Sequence, residues 1–181
     1  MADQHAPTLV ADAAVFARER HAGQVRKYTG VPYSSHLGEV AGLVAASVHA
    51  CPALIAAAWL HDSLEDTATT QKELEAMFGR EVSRLVAGVS DVSRPEDGVR
   101  AVRKAIDRAH VARGCALVHS LKLADVISNC SSVALFDPAF ARVYLAEKRA
   151  LLEVLDRGDD FLKTMASETV EQATASIALE G

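Results

Sequence analysis

The sequence is poor in aromatic residues and has no excess of positive charge. Aromatic residues make up 5% of the 181 residues, with a single Trp, and the formal net charge is −5 at pH 7. Proteins that neutralise nucleic-acid phosphates need a dense cationic surface, so this charge argues against broad nucleic-acid binding. We therefore expect any phosphate ligand to be held locally by a few basic side chains.

Cysteine is also scarce, and its spacing fits neither a zinc knuckle nor a redox pair. Cys51, Cys115 and Cys130 form an odd set without CxxC spacing, and they do not make a disulfide framework. Free cysteine behaves as a small apolar residue in protein interiors. We expect all three cysteines to be buried.

Long hydrophobic runs are missing. The longest uninterrupted apolar run, residues 53–60, is far short of the ~20 residues that a bilayer requires. The start of the chain, Met1 to His5, lacks the basic residues and apolar stretch of a secretory signal. These features predict a cytoplasmic protein with no membrane partner.

Apolar residues recur at three- and four-residue steps through nearly the whole chain, as at Val10, Ala13, Ala14 and Ala17. No segment shows convincing strand alternation, and no repeat or linker divides the chain. The length fits one domain. We predict an all-α fold, a single helical bundle of roughly eight helices that spans residues 1–181.

Local signals place parts of this bundle. Pro52 fits the first position of a central helix, buried all round, that extends to Leu64. Thr70 and Glu73 form a capping box for a helix that stops at Gly79. The polar, turn-rich residues 90–98 predict a loop that could be mobile.

The densest cluster of ionisable side chains directly follows the most apolar helix. His61, Asp62, Glu65 and Asp66 occur within six residues. Burying such groups is costly, and a divalent cation offsets the cost. An adjacent His-Asp pair is a weak motif, however, and a solvated helix end is the alternative interpretation.

Two further residues favour a metal site. His36 follows a turn at residues 30–35, and Asp125 is a lone acid inside an otherwise apolar helix. Together with His61 and Asp62 they make four hard or borderline ligands, which suit Mn²⁺, Mg²⁺ or Fe²⁺ better than a Cys-rich structural zinc site would.

The order of these four residues resembles the H…HD…D signature of the HD superfamily. The flanking sequence is similar to the hydrolase domain of RelA/SpoT proteins at residues 21–27, 30–36, 57–67, 78–79, 85–90 and 122–125. The resemblance covers roughly residues 10–155. It points to the stand-alone small alarmone hydrolases, which include the metazoan SpoT homologue, so alarmone synthesis is not expected.

This resemblance implies an all-α, metal-dependent enzyme. Family members hydrolyse the 3′-pyrophosphate of guanosine tetraphosphate (ppGpp) or pentaphosphate (pppGpp), which yields GDP or GTP and pyrophosphate. The implied ligands of one Mn²⁺ ion are His36, His61, Asp62 and Asp125. The residues matched to the catalytic acids are Glu65 and Asp66.

The resemblance also implies substrate contacts. Arg26 and Lys27 match basic residues near the substrate phosphates, although ordinary surface charge is the alternative. Asn129 matches a position near the nucleotide sugar, and a simple structural amide is the alternative. Lys122, three residues before Asp125, either pairs with a site carboxylate or points to solvent.

The sequence departs from the family at several positions. Leu37 replaces a usual Pro, Val126 replaces a basic residue, and Ser128 stands where an aromatic residue is frequent. Arg94 is the possible substitute for a Lys in the loop that follows Val89. The nucleotide preference therefore stays open, and the sequence does not predict an oligomeric state.

Two alternatives to ppGpp hydrolysis follow. One is an HD phosphohydrolase that acts on an adenosine alarmone, NADPH or a nucleoside monophosphate. The other is a nucleotide-binding module without turnover. The presence of both the metal ligands and the catalytic acids argues against the binding module, since binding alone does not need both.

Overall fold

A computed structural model describes residues 6–179, which form two compact units that meet in the sequence at Asp91 and Val92. Each unit is described by itself below. The prediction that the chain starts without a secretory signal depends on Met1 to His5, which lie outside the described residues. The expectation of one domain over the full chain stays a prediction.

Helices account for nearly all of the regular structure. In chain order they are α1 (Ala6–Arg20), α2 (Ser34–Ala45), α3 (Pro52–Leu60), α4 (Ser63–Asp66), α5 (Gln71–Val89), α6 (Arg100–Val111), α7 (Ala116–Phe136), α8 (Pro138–Leu152) and α9 (Asp160–Leu179). A 3₁₀ turn lies at Pro95–Asp97. Between residues 6 and 179 there is no strand, only an isolated bridge that pairs Val25 with Pro32. The predicted all-α fold is confirmed.

The core of the first unit is built around α3, which packs against α1, α2 and α5. Pro52 occupies the start of α3, as predicted, because proline lacks the amide proton that a first-turn residue cannot use. The helix is largely buried because its side chains are mostly small and apolar. The buried side chains of α3 are Leu54, Ala56, Ala57, Ala58 and Leu60.

The prediction that this helix continues to Leu64 is wrong. Helix α3 ends at Leu60, and the backbone at Asp62 has φ −95° and ψ 0°, at the edge of the right-handed helical region. The amides of Glu65 and Asp66 then bond to the Asp62 carbonyl and begin the single turn α4. His61 and Asp62 therefore lie at a break between two helices.

Helix α5 begins where the sequence predicts, and at Gly79, where the sequence predicts a stop, the structure has a kink. Thr70 caps it by accepting a hydrogen bond from the Glu73 amide at 3.2 Å. Gly79 has a φ of 83°, a left-handed conformation that glycine adopts without strain. The helical path is interrupted there and resumes to Val89.

In the second unit, α7 packs against both α8 and α9. The fully buried His119 joins α7 to neighbouring segments, since its Nε2 bonds to the Val111 carbonyl at 3.1 Å and its Nδ1 accepts from the Arg157 amide at 3.2 Å. Burial lowers the pKa of His119. Both contacts fit a neutral imidazole.

The start of the predicted loop is clamped by Asp107 on α6. Its Oδ1 accepts hydrogen bonds from the Val92 amide at 3.0 Å and the Ser93 amide at 2.8 Å, and its Oδ2 accepts from the Ser93 hydroxyl at 2.9 Å. Burial alone would raise the pKa of Asp107, but these donors lower it. The segment after Asp91 is therefore held in place by a buried carboxylate.

The expectation that all three cysteines are buried is wrong for two of them. Cys130 is buried, and burial raises the pKa of its thiol to about 12. Cys115 is exposed just before α7, and Cys51 is partly exposed just before α3, because both lie at helix starts rather than on core-facing turns.

The sequence also predicts a long helix that follows Pro138 and ends at about Arg157. Helix α8 ends at Leu152, five residues before the predicted end at Arg157. Within the part of the chain that the structure describes, no helix has the length and apolar character needed to cross a membrane.

Candidate metal centre

Three predicted ligands of the first unit converge on one point. His36 is in the first turn of α2, while His61 and Asp62 follow α3 directly. The two Nε2 atoms of the histidines are 3.1 Å apart, and they lie 3.4 Å and 3.0 Å from Oδ2 of Asp62. A nitrogen from each imidazole and one carboxylate oxygen thus form a compact triangle.

This triangle lies in the interior. The exposed fractions of His36 and His61 are 1% and 2%, and Asp62 is only partly exposed. Burial by itself would raise the pKa of Asp62, but the His61 and His36 rings beside it lower that pKa well below its usual range. The carboxylate is therefore held in its charged form, which is the form that binds cations.

The tautomer of His61 supports metal binding. Its Nδ1 lies 2.7 Å from the carbonyl oxygen of Ala58, so Nδ1 carries the proton and donates it. A neutral ring protonated on Nδ1 leaves a lone pair on Nε2, the atom that faces His36 and Asp62. Such a backbone contact on the far nitrogen is typical of metal-ligating histidines.

The donor set and its spacing fit a divalent cation. Ligand atoms at about 2.1 Å from an ion and at right angles to one another lie about 3 Å apart, close to the separations observed among the three atoms. Two imidazole nitrogens and a carboxylate oxygen suit Mn²⁺, Fe²⁺ and Zn²⁺. Without a cation or a shared proton, two imidazole lone pairs would repel each other.

Tyr33 also contacts this centre, although no role was predicted for it from the sequence. Its hydroxyl donates to Oδ2 of Asp62 at 2.6 Å, and its ring lies against His36 with a centroid separation of 5.4 Å. The only signal in the sequence is its place three residues before His36. Such spacing is common between residues of unrelated function.

His21 and Gln24 connect Tyr33 to the α4 turn. The His21 ring stacks on Tyr33 at 5.2 Å, and its Nδ1 donates to Oε1 of Gln24 at 2.7 Å. The Gln24 amide nitrogen donates to the Asp66 carbonyl at 2.9 Å. His21 is buried, and its Nε2 has no hydrogen-bond partner among the residues described.

The two predicted catalytic acids lie on α4 with exposed side chains. Oε1 of Glu65 accepts a hydrogen bond from the Asp91 amide at 3.0 Å, which fixes the direction of this carboxylate. Partial loss of hydration, together with the nearby Asp62 charge, raises the pKa of Asp66. Both acids follow Asp62 within about one helical turn, and their amides bond to the Asp62 carbonyl.

The predicted phosphate-binding residues of the first unit lie in the segment between α1 and α2. Arg26 forms an ion pair with Glu39 at 3.1 Å. The Lys27 ammonium lies 3.3 Å from the Tyr28 hydroxyl and 4.8 Å from the centroid of that ring. The charge of Arg26 is thus partly balanced within the protein.

The remaining predicted residues belong to α7 of the second unit. Asp125 is buried; the Asn129 amide donates to it at 2.6 Å, and the Lys122 ammonium lies 3.1 Å from it. Lys122 thus pairs with Asp125, the carboxylate that was predicted as a metal ligand. Val126 and Ser128 are fully buried, so these departures from the family do not present side chains to solvent.

Comparison with known families identifies the class to which this site belongs. A family model described as an HD domain matches residues 13–148. This match covers most of the chain, and the protein belongs to the HD-domain family. The resemblance read from the H…HD…D residues is confirmed at this level.

Curated relatives give a narrower comparison. The chain is 46% identical over 79 residues to a guanosine-3′,5′-bis(diphosphate) 3′-pyrophosphohydrolase of Aquifex aeolicus, a match that covers 44% of this chain and 11% of that protein. It is 43% identical over 86 residues to a probable enzyme of the same name from Synechocystis, with 48% of this chain and 11% of that protein covered. The chain spans about a tenth of the length of these relatives.

Solved structures share the fold. A metazoan orthologue of SpoT, described as hydrolysing ppGpp and acting in starvation responses, superimposes with a TM-score of 0.80 at 23% identity and covers 91% of this chain and 94% of that one. A protein of Listeria monocytogenes has a TM-score of 0.66 at 24% identity, over 82% of this chain and 99% of its own.

Proposed function

We propose that this protein is a metal-dependent phosphohydrolase that removes the 3′-pyrophosphate of ppGpp and pppGpp. The products are GDP or GTP and pyrophosphate. The proposal agrees with the names of the Aquifex aeolicus and Synechocystis relatives and with the activity described for the metazoan orthologue of SpoT. We further propose that it acts in the cytoplasm on a free nucleotide, without nucleic-acid or membrane partners.

One observation carries the proposal. The Nε2 atoms of two buried imidazoles and Oδ2 of Asp62 lie within 3.4 Å of one another, and the Ala58 carbonyl holds His61 in the tautomer that allows its Nε2 to bind a cation. A merely structural histidine pair has no need of such an arrangement. It prepares a site for a divalent cation.

The proposed ligands are His36, His61, Asp62 and Asp125. The inclusion of Asp125 rests on the sequence resemblance alone, and so does the choice of Mn²⁺ among the divalent ions. When bound, such a cation supplies Lewis acidity, which lowers the pKa of water and offsets charge on phosphoryl oxygens. The two histidines and Asp62 provide a dry, preformed cradle for that charge.

Glu65 and Asp66 are proposed as the residues that position water and move protons. Water adds to the phosphorus attached to the 3′-oxygen, the bond between them breaks, and the pyrophosphate group departs with the oxygen from water. One carboxylate accepts the proton of the water, and the 3′-oxygen gains a proton to restore the hydroxyl. The Asp91 amide holds Glu65 in one orientation for this purpose.

Arg26 and Lys27 are proposed to bind phosphate groups, and Asn129 the sugar. Arginine offers several donors in a fixed fork, which suits phosphoryl oxygens. Because the net charge of the protein is −5, a few local cations are needed to hold a highly anionic nucleotide. The Arg26–Glu39 ion pair has to open or share its charge when phosphate binds.

A related substrate is the second candidate, and one observation favours it. The family's basic residue is replaced by Val126, which is fully buried, while Arg26 is already paired with Glu39. The chain thus offers less cationic charge than the family pattern implies. An adenosine alarmone, NADPH or a nucleoside monophosphate would use the same metal and acids, whereas a binding module without turnover would use neither acid.

The test is product analysis with a panel of nucleotides. Purified protein with Mn²⁺ is incubated with ppGpp, its adenosine analogue, NADPH and nucleoside monophosphates, each with and without a chelator. GDP and pyrophosphate from ppGpp support the proposal. Faster turnover of another compound moves the substrate assignment, and no turnover despite bound metal supports the binding module.

A further inference from the structure

We infer that Tyr33 is a positioning residue that fixes the Asp62 carboxylate for cation binding. The inference rests on the metal centre proposed above and adds to it a residue outside the H…HD…D pattern. Its observation is the hydrogen bond from the Tyr33 hydroxyl to Oδ2 of Asp62 at 2.6 Å. That oxygen is also the carboxylate atom that lies nearest to both histidine nitrogens.

The chemistry of this contact explains the role. An aspartate carboxylate rotates easily about its last bond, so without support its two oxygens exchange places. A hydroxyl bond to a carboxylate at this distance is charge-assisted and strong. The Tyr33 hydroxyl also forms a hydrogen bond with the Asp66 side chain. Its bond to Oδ2 of Asp62 leaves another lone pair of that oxygen for a cation.

The Tyr33 ring is itself held in place on two sides. His21 stacks on it with an interplanar angle of 21°, and His36 lies against it at an angle of 60°. Gln24 then joins His21 to the carbonyl of Asp66. Together these contacts link Tyr33 to the turn that carries Asp62 and hold the Tyr33 hydroxyl beside the Asp62 carboxylate.

The test measures metal binding directly, without relying on activity. Metal-free wild type, Tyr33→Phe and the control Tyr28→Phe are titrated with MnCl₂ by calorimetry, and with CoCl₂ while the visible absorption of bound Co²⁺ is recorded. Tyr33→Phe keeps the ring contacts and removes only the hydroxyl. We expect its Mn²⁺ affinity to fall by about 10–100-fold and its Co²⁺ spectrum to change, while Tyr28→Phe matches wild type.

A second variant keeps the inference testable if Tyr33→Phe does not fold, which thermal unfolding without metal would reveal. Gln24→Met keeps the Tyr33 hydroxyl but removes the hydrogen bonds of Gln24 with His21 and with the Asp66 carbonyl. We expect it to weaken Mn²⁺ binding by a smaller factor than Tyr33→Phe does. Wild-type affinity and an unchanged Co²⁺ spectrum in the folded variants would overturn the inference and leave the metal centre standing. Failure of wild type to bind any divalent ion would overturn the metal centre as well.

Discussion

His36 and His61 face each other through their Nε2 atoms, 3.1 Å apart, in the interior of the first unit. Because Nδ1 of His61 is committed to the Ala58 carbonyl, its Nε2 cannot also carry a proton while the ring is neutral. A pair of nitrogens this close is stabilised by a proton shared between them or by a bound cation. We therefore expect a divalent cation to bind between the two rings.

Added Mn²⁺ is expected to stabilise the fold. A ligand present at 100 times its Kd adds about 2.7 kcal/mol to the free energy of unfolding, which corresponds to a rise in Tm of roughly 5–10 °C for a chain of this size. Differential scanning fluorimetry with and without a chelator measures it. His61→Ala should lose the rise and His49→Ala should retain it; a wild type that melts at the same temperature with and without metal would rule out a resident cation.

Replacing Glu65 by Gln should separate catalysis from metal binding. The amide is the same size as the carboxylate but cannot accept a proton from water, so kcat should fall by about 10²-fold or more. Mn²⁺ affinity should be unchanged, because Glu65 is not among the proposed ligands. Steady-state kinetics and calorimetry check both parts, with the exposed Glu75→Gln as control, and full activity of Glu65→Gln would remove this residue from the mechanism.

Arg26→Ala should act mainly on substrate binding. A phosphate contact that stabilises the bound substrate and the transition state equally affects only binding. Its loss raises KM and leaves kcat nearly unchanged. Glu39→Gln is the matched variant, since it releases Arg26 from its ion pair and should lower KM. If KM is the same in wild type and both variants, Arg26 does not contact phosphate.

His119 should make stability depend on pH. Its pKa is lowered in the folded protein, so the unfolded chain binds the proton more readily. Stability is therefore complete above the ordinary histidine pKa of about 6.5 and declines as the pH falls below it. Urea unfolding between pH 5 and 8 tests this against His119→Gln, which should show a smaller decline; parallel curves would assign the pH dependence to other groups.

Much of the fold could be predicted because its signals are local. The capping pair Thr70 and Glu73, the proline at the start of α3 and the left-handed Gly79 each act within a few residues. The end of α3 was not predicted, since Leu64 lies four residues after Leu60 and continues the helical spacing of apolar residues. Only the backbone at Asp62 shows that a new turn begins there.

Some residues of the candidate site could likewise be predicted from the sequence, and others could not. His36, His61 and Asp62 were predicted as ligands from their order in the chain, and the structure brings these three together. Tyr33 was missed because its role depends on the folded path that returns its hydroxyl to Asp62. The pairing of Arg26 with Glu39 also depends on packing that no sequence pattern reveals.

The most direct test of the proposed activity is hydrolysis of ppGpp in H₂¹⁸O with Mn²⁺. Our account predicts equal amounts of GDP and pyrophosphate, with ¹⁸O in the pyrophosphate and none in the GDP, and loss of turnover with a chelator or in Asp62→Ala. Undiminished hydrolysis in the presence of the chelator, or ¹⁸O at the 3′-position of GDP, would contradict metal-dependent attack of water on the 3′-pyrophosphate.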